Sequence, residues 1–281
     1  MDWTLILISA LPGLLALAAA SWKWCLPANR VTWIIAAAAL LGVLAGWGLQ
    51  RQGSPAWLVA IGIWAIQGAT YVGIIAWLFY RDPERVIPDT PGLVVSPADG
   101  TVIYIRRLEA GEPLRCDKNG AAMVLDEVKG TGLEREALWQ VGVSMVFTDV
   151  HVNRAPIAGK VTLVHHRPGK FLSLRLKEAL NVNERQTLVI DNGEFQIGLV
   201  QIASRLVRRI VAYVSPNQEI QRGQRVGMIK FGSQVDLFLP IRAVAQLEVS
   251  EGQRLTAGET IVCRVARPES VGVSRSSVVT R

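Results

Sequence analysis

Three long apolar runs open the chain. Trp3 to Ala20 is uncharged and interrupted only by Pro12-Gly13; Val31 to Leu49 and Ala56 to Tyr80 also carry no charge. Each approaches the roughly 20 residues that a helix needs to cross a bilayer core. The pattern predicts three transmembrane α-helices at about 3–20, 31–49 and 56–80. Pro12 predicts a kink in the first, tolerable in lipid where neighbouring groups satisfy the carbonyl it frees. A signal peptide is the other reading of the first run. That run lacks a basic leading segment, Asp2 is its only early charge, and no small-x-small site precedes a soluble start.

After Arg81 the texture changes. Pro91-Gly92, Asp99-Gly100, Gly111, Asn119-Gly120, Gly130, Asp191-Asn192-Gly193, Gly223, Gly252 and Gly258 mark turns. Between them lie short runs rich in Val and Ile: Leu93–Val95, Thr101–Ile105, Gly142–Phe147, Thr187–Ile190, Ile210–Val214, Val226–Phe231 and Val235–Leu239. Short strands punctuated by glycine read as a mainly β domain, barrel- or sandwich-like. One helix is expected from Gln201 to Arg209, with Leu206 and Val207 on a different face from the basic residues. Arg106 to Trp139 is polar and mixed and reads as a mobile loop or hairpin insertion. The chain therefore divides into a membrane region at 1–80, a β-rich domain at 81–266 and a flexible tail at 267–281.

Composition sharpens this picture at two points. Mean hydropathy is +0.29, with half the residues hydrophobic, which suits a chain partly in lipid. Net charge is +7. No basic run interleaves with aromatics, so anionic lipid is a better partner than nucleic acid. Trp22, Trp24, Trp33, Trp47, Trp57 and Trp77 cluster near the ends of the runs, as interfacial belts do. Lys23 and Arg30 follow the first run, only Arg51 follows the second, and Arg81 and Arg85 follow the third. The bias puts the large domain on the cytoplasmic side of the cell membrane and the N-terminus outside. Cys25, Cys116 and Cys263 are odd in number and lack CxxC spacing, which argues against a disulfide framework or a zinc site. His165 and His166 have no third ligand at useful spacing, so no metal is expected.

Three polar segments set among apolar strands carry candidate chemistry. Val95-Ser96-Pro97-Ala98-Asp99-Gly100 by itself reads as an ordinary turn, with Gly100 left-handed. Phe147 to Pro156 contains His151, one of three histidines in the chain. A lone histidine is more often structural than catalytic, but Asp149, Asn153 and Arg154 accompany it. Met228 to Asp236 holds Gly232-Ser233, a common turn pair, here between two strong β runs.

At these segments the sequence resembles the phosphatidylserine decarboxylase family. The resemblance starts at Tyr80-Arg81-Asp82-Pro83-Glu84-Arg85 and runs through S-P-A-D-G, D-V-H-V-N-R-A-P and K-F-G-S-x-V-D. It includes Asn183-Glu184-Arg185, the stretch from Gln201 to Val211, and Ala257-Gly258-Glu259-Thr260, and so spans Tyr80 to Val265. It is nearest to the shorter branch, whose processing motif is F-G-S. The resemblance implies a proenzyme in which Ser233 attacks the carbonyl of Gly232 and is left as a pyruvoyl cofactor on a new N-terminus. It implies Asp99, His151 and Ser233 as catalytic residues, with His151 as base and Asp99 orienting it. It implies a serine-headgroup phospholipid as substrate, in a membrane, and two cleaved chains that stay associated; a homo-oligomer stays open. Arg154 stands where the longer branch has a second histidine, and it could hold a carboxylate or phosphate. Lys170 could face an anionic headgroup, or simply belong to a solvated basic face. Two other readings stay open: a membrane-anchored lipoyl-like adaptor, which would need a lysine at an exposed hairpin tip, and a membrane-tethered serine hydrolase, for which no G-x-S-x-G elbow is present.

Overall fold

A computed structural model describes residues 2–23, 26–118, 121–168, 184–203, 209–230 and 233–266. The three apolar runs form helices α1 (Trp3–Lys23), α2 (Ala28–Arg51) and α3 (Ala56–Tyr80), each long and apolar enough to span a membrane. Pro27 and Pro55, both extended, precede α2 and α3. There proline costs nothing, because the first turn of a helix has no internal partner for its N–H. Apolar side chains cover the outside as well as the inside. Leu7, Ile8, Leu11 and Leu15 of α1 are exposed, whereas Ile6 and Ala10 pack inward. Helix α1 runs unbroken through Pro12. Its neighbour α3 supplies donors close to that point: Trp64 Nε1 bonds the Ser9 carbonyl at 2.7 Å and Gln67 Nε2 that of Ala10 at 3.3 Å.

The remainder is built of β-strands. An eight-stranded sheet has the order β11 (Glu219–Ile220), β7 (Gly159–Arg167), β8 (Arg185–Asp191), β9 (Gln196–Ala203), β13 (Ser233–Pro240), β5 (Leu138–Met145), β2 (Gly100–Leu108), β15 (Arg254–Leu255). Two three-stranded sheets accompany it: β10 (Arg209–Ala212), β12 (Arg225–Lys230), β6 (Val152–Arg154); and β1 (Leu93–Val95), β16 (Ile261–Val265), β14 (Val244–Leu247). All strand pairs are antiparallel. One core lies between the large sheet and the small ones, and joins Val143, Leu199, Val235 and Leu237 to Val94, Val226, Ile229 and Val262. The expected mainly β architecture behind three membrane-length helices is the one found.

Two expectations change in part. Arg106–Trp139 holds the hairpin that was one of its two readings, but it is packed rather than loose. Strand β2 continues to Leu108, a hairpin of β3 (Arg115–Lys118) and β4 (Ala121–Val124) follows, and Leu114, Cys116, Met123, Val128 and Leu133 pack on Val189, Val200, Ile202 and Phe238. The segment thus forms a second core on the outer face of the sheet. This is why β8 and β9 are buried on both faces rather than alternating. The helix expected at Gln201–Arg209 meets strand at both of its described ends, where Gln201–Ala203 completes β9 and Arg209 opens β10. Gln201 is fully buried and bonded to Gln186 and Asn153, and ladders on both sides of β9 override the local periodicity. Residues 204–208, Lys170, Gly232 and the tail at 267–281 lie outside the described residues.

Candidate active site

The site forms where the helices meet one end of the large sheet. Strand β5 ends at Met145, and the chain turns through 146–150 before β6. The turn is closed twice by one residue. The Asp149 N–H bonds the Val146 carbonyl at 2.8 Å, and the Asp149 carboxylate accepts the Val146 N–H at 2.9 Å. Thr148, Asp149, His151 and Asn153 are completely buried. His151 Nδ1 lies 2.8 Å from the Asp149 carbonyl. A carbonyl only accepts, so Nδ1 carries the proton and Nε2 is left with a free lone pair. Nε2 is buried and has no hydrogen-bond partner among the described residues. The Phe79 ring, from the last turn of α3, lies over the imidazole with centroids 4.1 Å apart. Burial pushes the His151 pKa down to about 4, against the opposing pull of the Asp149 carbonyl and carboxylate; Arg81 pushes the same way as burial. The imidazole is therefore neutral near pH 7 and can act as a base.

Ser233 is the first residue of β13 and sits in register between Met145, the last residue of β5, and Ala203, the last of β9. Lys230, three positions before Ser233, ends β12 of a small sheet. His151 lies beside the end of that strand: Ile229 N–H bonds its carbonyl at 3.1 Å, and Met228 pairs with Val152. The fold thus brings His151 and Ser233, 82 positions apart in sequence, to the same end of the sheet.

Asp99 is also nearly buried, but its hydrogen bonds go elsewhere. Arg85 Nη2 holds both of its oxygens at 2.9 and 3.0 Å, and the Ala257 N–H bonds Oδ1 at 2.8 Å. The group orienting the imidazole is the Asp149 carbonyl. Gly100 has a positive φ of 157°, at the extended edge of the range that favours glycine. A Cβ there would sit 2.4 Å from the Ser144 carbonyl oxygen, so close approach of two backbones explains the glycine. Arg154 is buried and donates to the carbonyls of Gly223 and Pro83 and to Asp82, which fixes the chain just after α3. His166 Nε2 pairs with Glu184 at 3.0 Å.

Several residues escaped the sequence reading. Asp149 takes Arg254 Nη2 at 2.5 Å and Arg30 Nη1 at 3.2 Å. The Thr148 carbonyl accepts from Arg30 and, at 3.0 Å, from Arg81. Arg30 was legible only as a topology charge and Phe79 only as part of an apolar run. On the far face of β13, Asp236 accepts from Tyr104 at 2.7 Å, Gln140 at 2.9 Å and Gln234 at 2.8 Å, and burial raises its pKa. Gly142, opposite Tyr104, leaves room for that ring; a Cβ would meet it at 2.5 Å.

Comparison with known proteins bears on this arrangement. Residues 73–263, from the second half of α3 into β16, match the family model described as phosphatidylserine decarboxylase. The chain is 39% identical over 223 residues to a protein of Azorhizobium caulinodans (76% of this chain, 88% of the relative). It is 36% identical over 252 residues to one of Erythrobacter litoralis (88% and 90%) and 41% identical over 188 residues to one of Desulfotalea psychrophila (66% and 78%). All three are named phosphatidylserine decarboxylase proenzyme. A match that takes in the helix over His151, the histidine turn and the start of β13, together with identities of this size over most of both chains, means that the chain belongs to the phosphatidylserine decarboxylase family, a family of decarboxylating enzymes.

Proposed function

We propose that the chain is a proenzyme that cuts itself between Gly232 and Ser233 and then decarboxylates phosphatidylserine, or a related serine-headgroup phospholipid, to the ethanolamine phospholipid and carbon dioxide. The observation that carries this reading is a neutral imidazole whose proton-free Nε2 is buried without a partner among the described residues, beside the end of β12, three to four positions before Ser233 in the chain. A serine hydroxyl is a weak nucleophile until a base removes its proton.

In the first stage Ser233 Oγ attacks the Gly232 carbonyl carbon while His151 Nε2 takes the hydroxyl proton. That proton returns to the departing amide nitrogen, and the peptide becomes an ester. Removal of the Cα proton of residue 233 by a base expels the ester oxygen from its Cβ as the carboxylate that ends the upstream chain, and hydrolysis of the resulting enamine frees ammonia and would leave a pyruvoyl group at residue 233. The group supplies a carbonyl that condenses with the substrate amine and an electron sink for loss of carbon dioxide. His151 Nε2 takes the proton that the substrate ammonium gives up on condensing, and passes it to the headgroup carbon after carbon dioxide has left. Asp99 serves at one remove, by holding Arg85 and the turn at Ala257. Among the described residues, Arg30, Arg81, Arg85 and Arg254 bond or lie close to Asp99, Asp149 and the more distant Glu259, four positive charges to three negative, which suits an anionic headgroup. Lys170 is a further headgroup contact under this reading, whereas the bonds of Arg154 favour an architectural role for it.

The cut chains stay together because β13, the start of the small fragment, is a central strand paired on both sides. Residues 1–80 form the membrane region and 81–266 the catalytic domain, on the cytoplasmic face of the cell membrane. Arg30, in the first turn of α2, meets Thr148 and Asp149, which supports the start of α2, with the connection before it, and the strand domain sharing one side. A denaturing gel of purified protein tests the proposal. Two chains are expected, with the small one beginning at residue 233 and lacking a free amine by mass spectrometry, and Ser233→Ala should remain one inactive chain. Cleavage of that variant at the same bond would remove Ser233 from its role.

A further inference from the structure

We propose that the helical bundle is part of the active site rather than only its membrane attachment. On this view Asp149 is a positioning residue for His151, held in place by Arg30 from α2, and Phe79 from α3 covers the imidazole. The inference rests on the catalytic reading of His151 given above.

Three observations carry it. The first is the double use of Asp149. Its carbonyl takes His151 Nδ1, while its carboxylate closes the turn on the Val146 N–H. The imidazole can be aimed only as well as that turn is held. The second is the charge balance. Asp149 is completely buried, and a buried carboxylate is tolerated only where cations and donors replace its water. Its cations come from two different parts of the molecule: Arg254 from β15 at the edge of the sheet, and Arg30 from the first turn of α2. Arg30 also bonds the neighbouring Thr148 carbonyl, which Arg81, just past α3, bonds as well. The third is Phe79, itself fully buried, which packs with Val150, Val152 and Met228 of the strand domain and covers the ring of His151. A strand domain without the helices would lose one cation of Asp149, one clamp on Thr148 and the cover of the base.

The charged groups acting on the imidazole are the Asp149 carboxylate, which favours its protonation, and Arg81, which opposes it. Arg30 and Arg254 act on it through Asp149. Removing the carboxylate should therefore move the acid limb of the cleavage rate to lower pH, and exposing the ring should move it higher. Neither displacement follows from a simple loss of folded protein.

The experiment uses the full chain, synthesised in a cell-free system into lipid nanodiscs, with cleavage followed on denaturing gels from pH 4 to 8. Arg30→Gln and Asp149→Asn are each expected to slow cleavage at least about tenfold, since each disturbs the aim of a general base whose help is typically worth about 10²–10⁴-fold. The double variant should be no slower than Asp149→Asn, because the two residues act as one unit. Arg30→Lys should restore most of the rate. Asp149→Asn should lower the acid limb, and Phe79→Leu, which keeps apolar volume without the ring, should raise it. Parent-like rates and an unmoved limb in Arg30→Gln and Asp149→Asn would overturn the proposal. Should Arg30→Gln yield no folded protein, an unmoved limb in Phe79→Leu overturns it instead. His151→Ala and Ser233→Ala run alongside. If these still cut at 232/233, the catalytic reading itself falls; if they stay whole while Arg30→Gln cuts normally, only the role of the bundle falls.

Discussion

Acidification is the most direct perturbation of the proposed base. Burial pushes the His151 pKa from an ordinary 6.5 down to about 4, a difference worth about 3 kcal/mol against the imidazolium. If cleavage depends on the neutral ring, the rate at pH 5.5 should be about 97% of its plateau, whereas an imidazole of ordinary pKa would leave about 9%, a contrast of roughly tenfold. Stability follows the same difference. The folded state resists protonation that the unfolded chain accepts, so this contribution is whole above pH 6.5, declines as pH falls, and is lost by about pH 4. The assay is NMR of protein labelled in its imidazole carbons, using Ser233→Ala to keep a single chain. With three histidines in the sequence, His151→Gln assigns the signal. The His151 resonance should titrate far below the ordinary 6.5, and its neutral form should carry the proton on Nδ1. A His151 signal titrating near 6.5, or a cleavage rate already falling by pH 6, would refute the reasoning.

Other predictions follow from neighbouring geometry. Tyr104→Phe removes one of the donors to buried Asp236 and should cost about 1–3 kcal/mol, read as a lower thermal midpoint with the cleavage position unchanged. Gly100→Ala drives a methyl against the Ser144 carbonyl; it should destabilise the fold by about 1–3 kcal/mol and slow cleavage, while Gly193→Ala, with open space around it but a φ of 90°, should cost stability without slowing cleavage. Arg154→Lys should slow cleavage less than about tenfold, whereas His151→Gln should lose about 10²–10⁴-fold; equal losses would return Arg154 to the chemistry. A cysteine placed in the tail at 267–281 should resist labelling from outside intact cells, and labelling there would reverse the proposed topology.

The antiparallel pairing also suggests why a chain cut in the middle of its sequence need not fall apart. Strand β13 begins at the proposed new terminus, yet β5 and β9 flank it along most of its length. On its outer face Asp236 joins it to Tyr104 and Gln140 of β2 and β5. The cut would free one end of a strand whose ladder bonds lie beyond the break.

Much of this protein was legible in its residues alone. Three uncharged runs specify three membrane-length helices, because lipid leaves a helix no partners except its own backbone. Alternation and glycine-marked turns predict most of the strands, and the polar segments around Asp99, His151 and Ser233 stand out because each interrupts an apolar run. What the sequence could not yield are the relations between distant positions. Where a helix was expected to begin at Gln201 the chain is strand, because Gln186 and Asn153, which satisfy Gln201, lie on other strands. The segment at 106–139 looked loose because its apolar residues are sparse, and it becomes a core only against the outer face of β8, β9 and β13. Asp99 looked like the partner of His151, but Arg85 and the Ala257 N–H take its carboxylate, and a backbone carbonyl, common to every residue and so invisible in a sequence, takes the imidazole proton. Arg30 and Phe79, legible only as a topology charge and as part of an apolar run, reach the histidine turn only after the helices dock. Local pattern decides which segments are helix and strand; which buried charge meets which cation is decided by packing, where desolvation forces each buried polar group to find a partner and chain distance no longer matters.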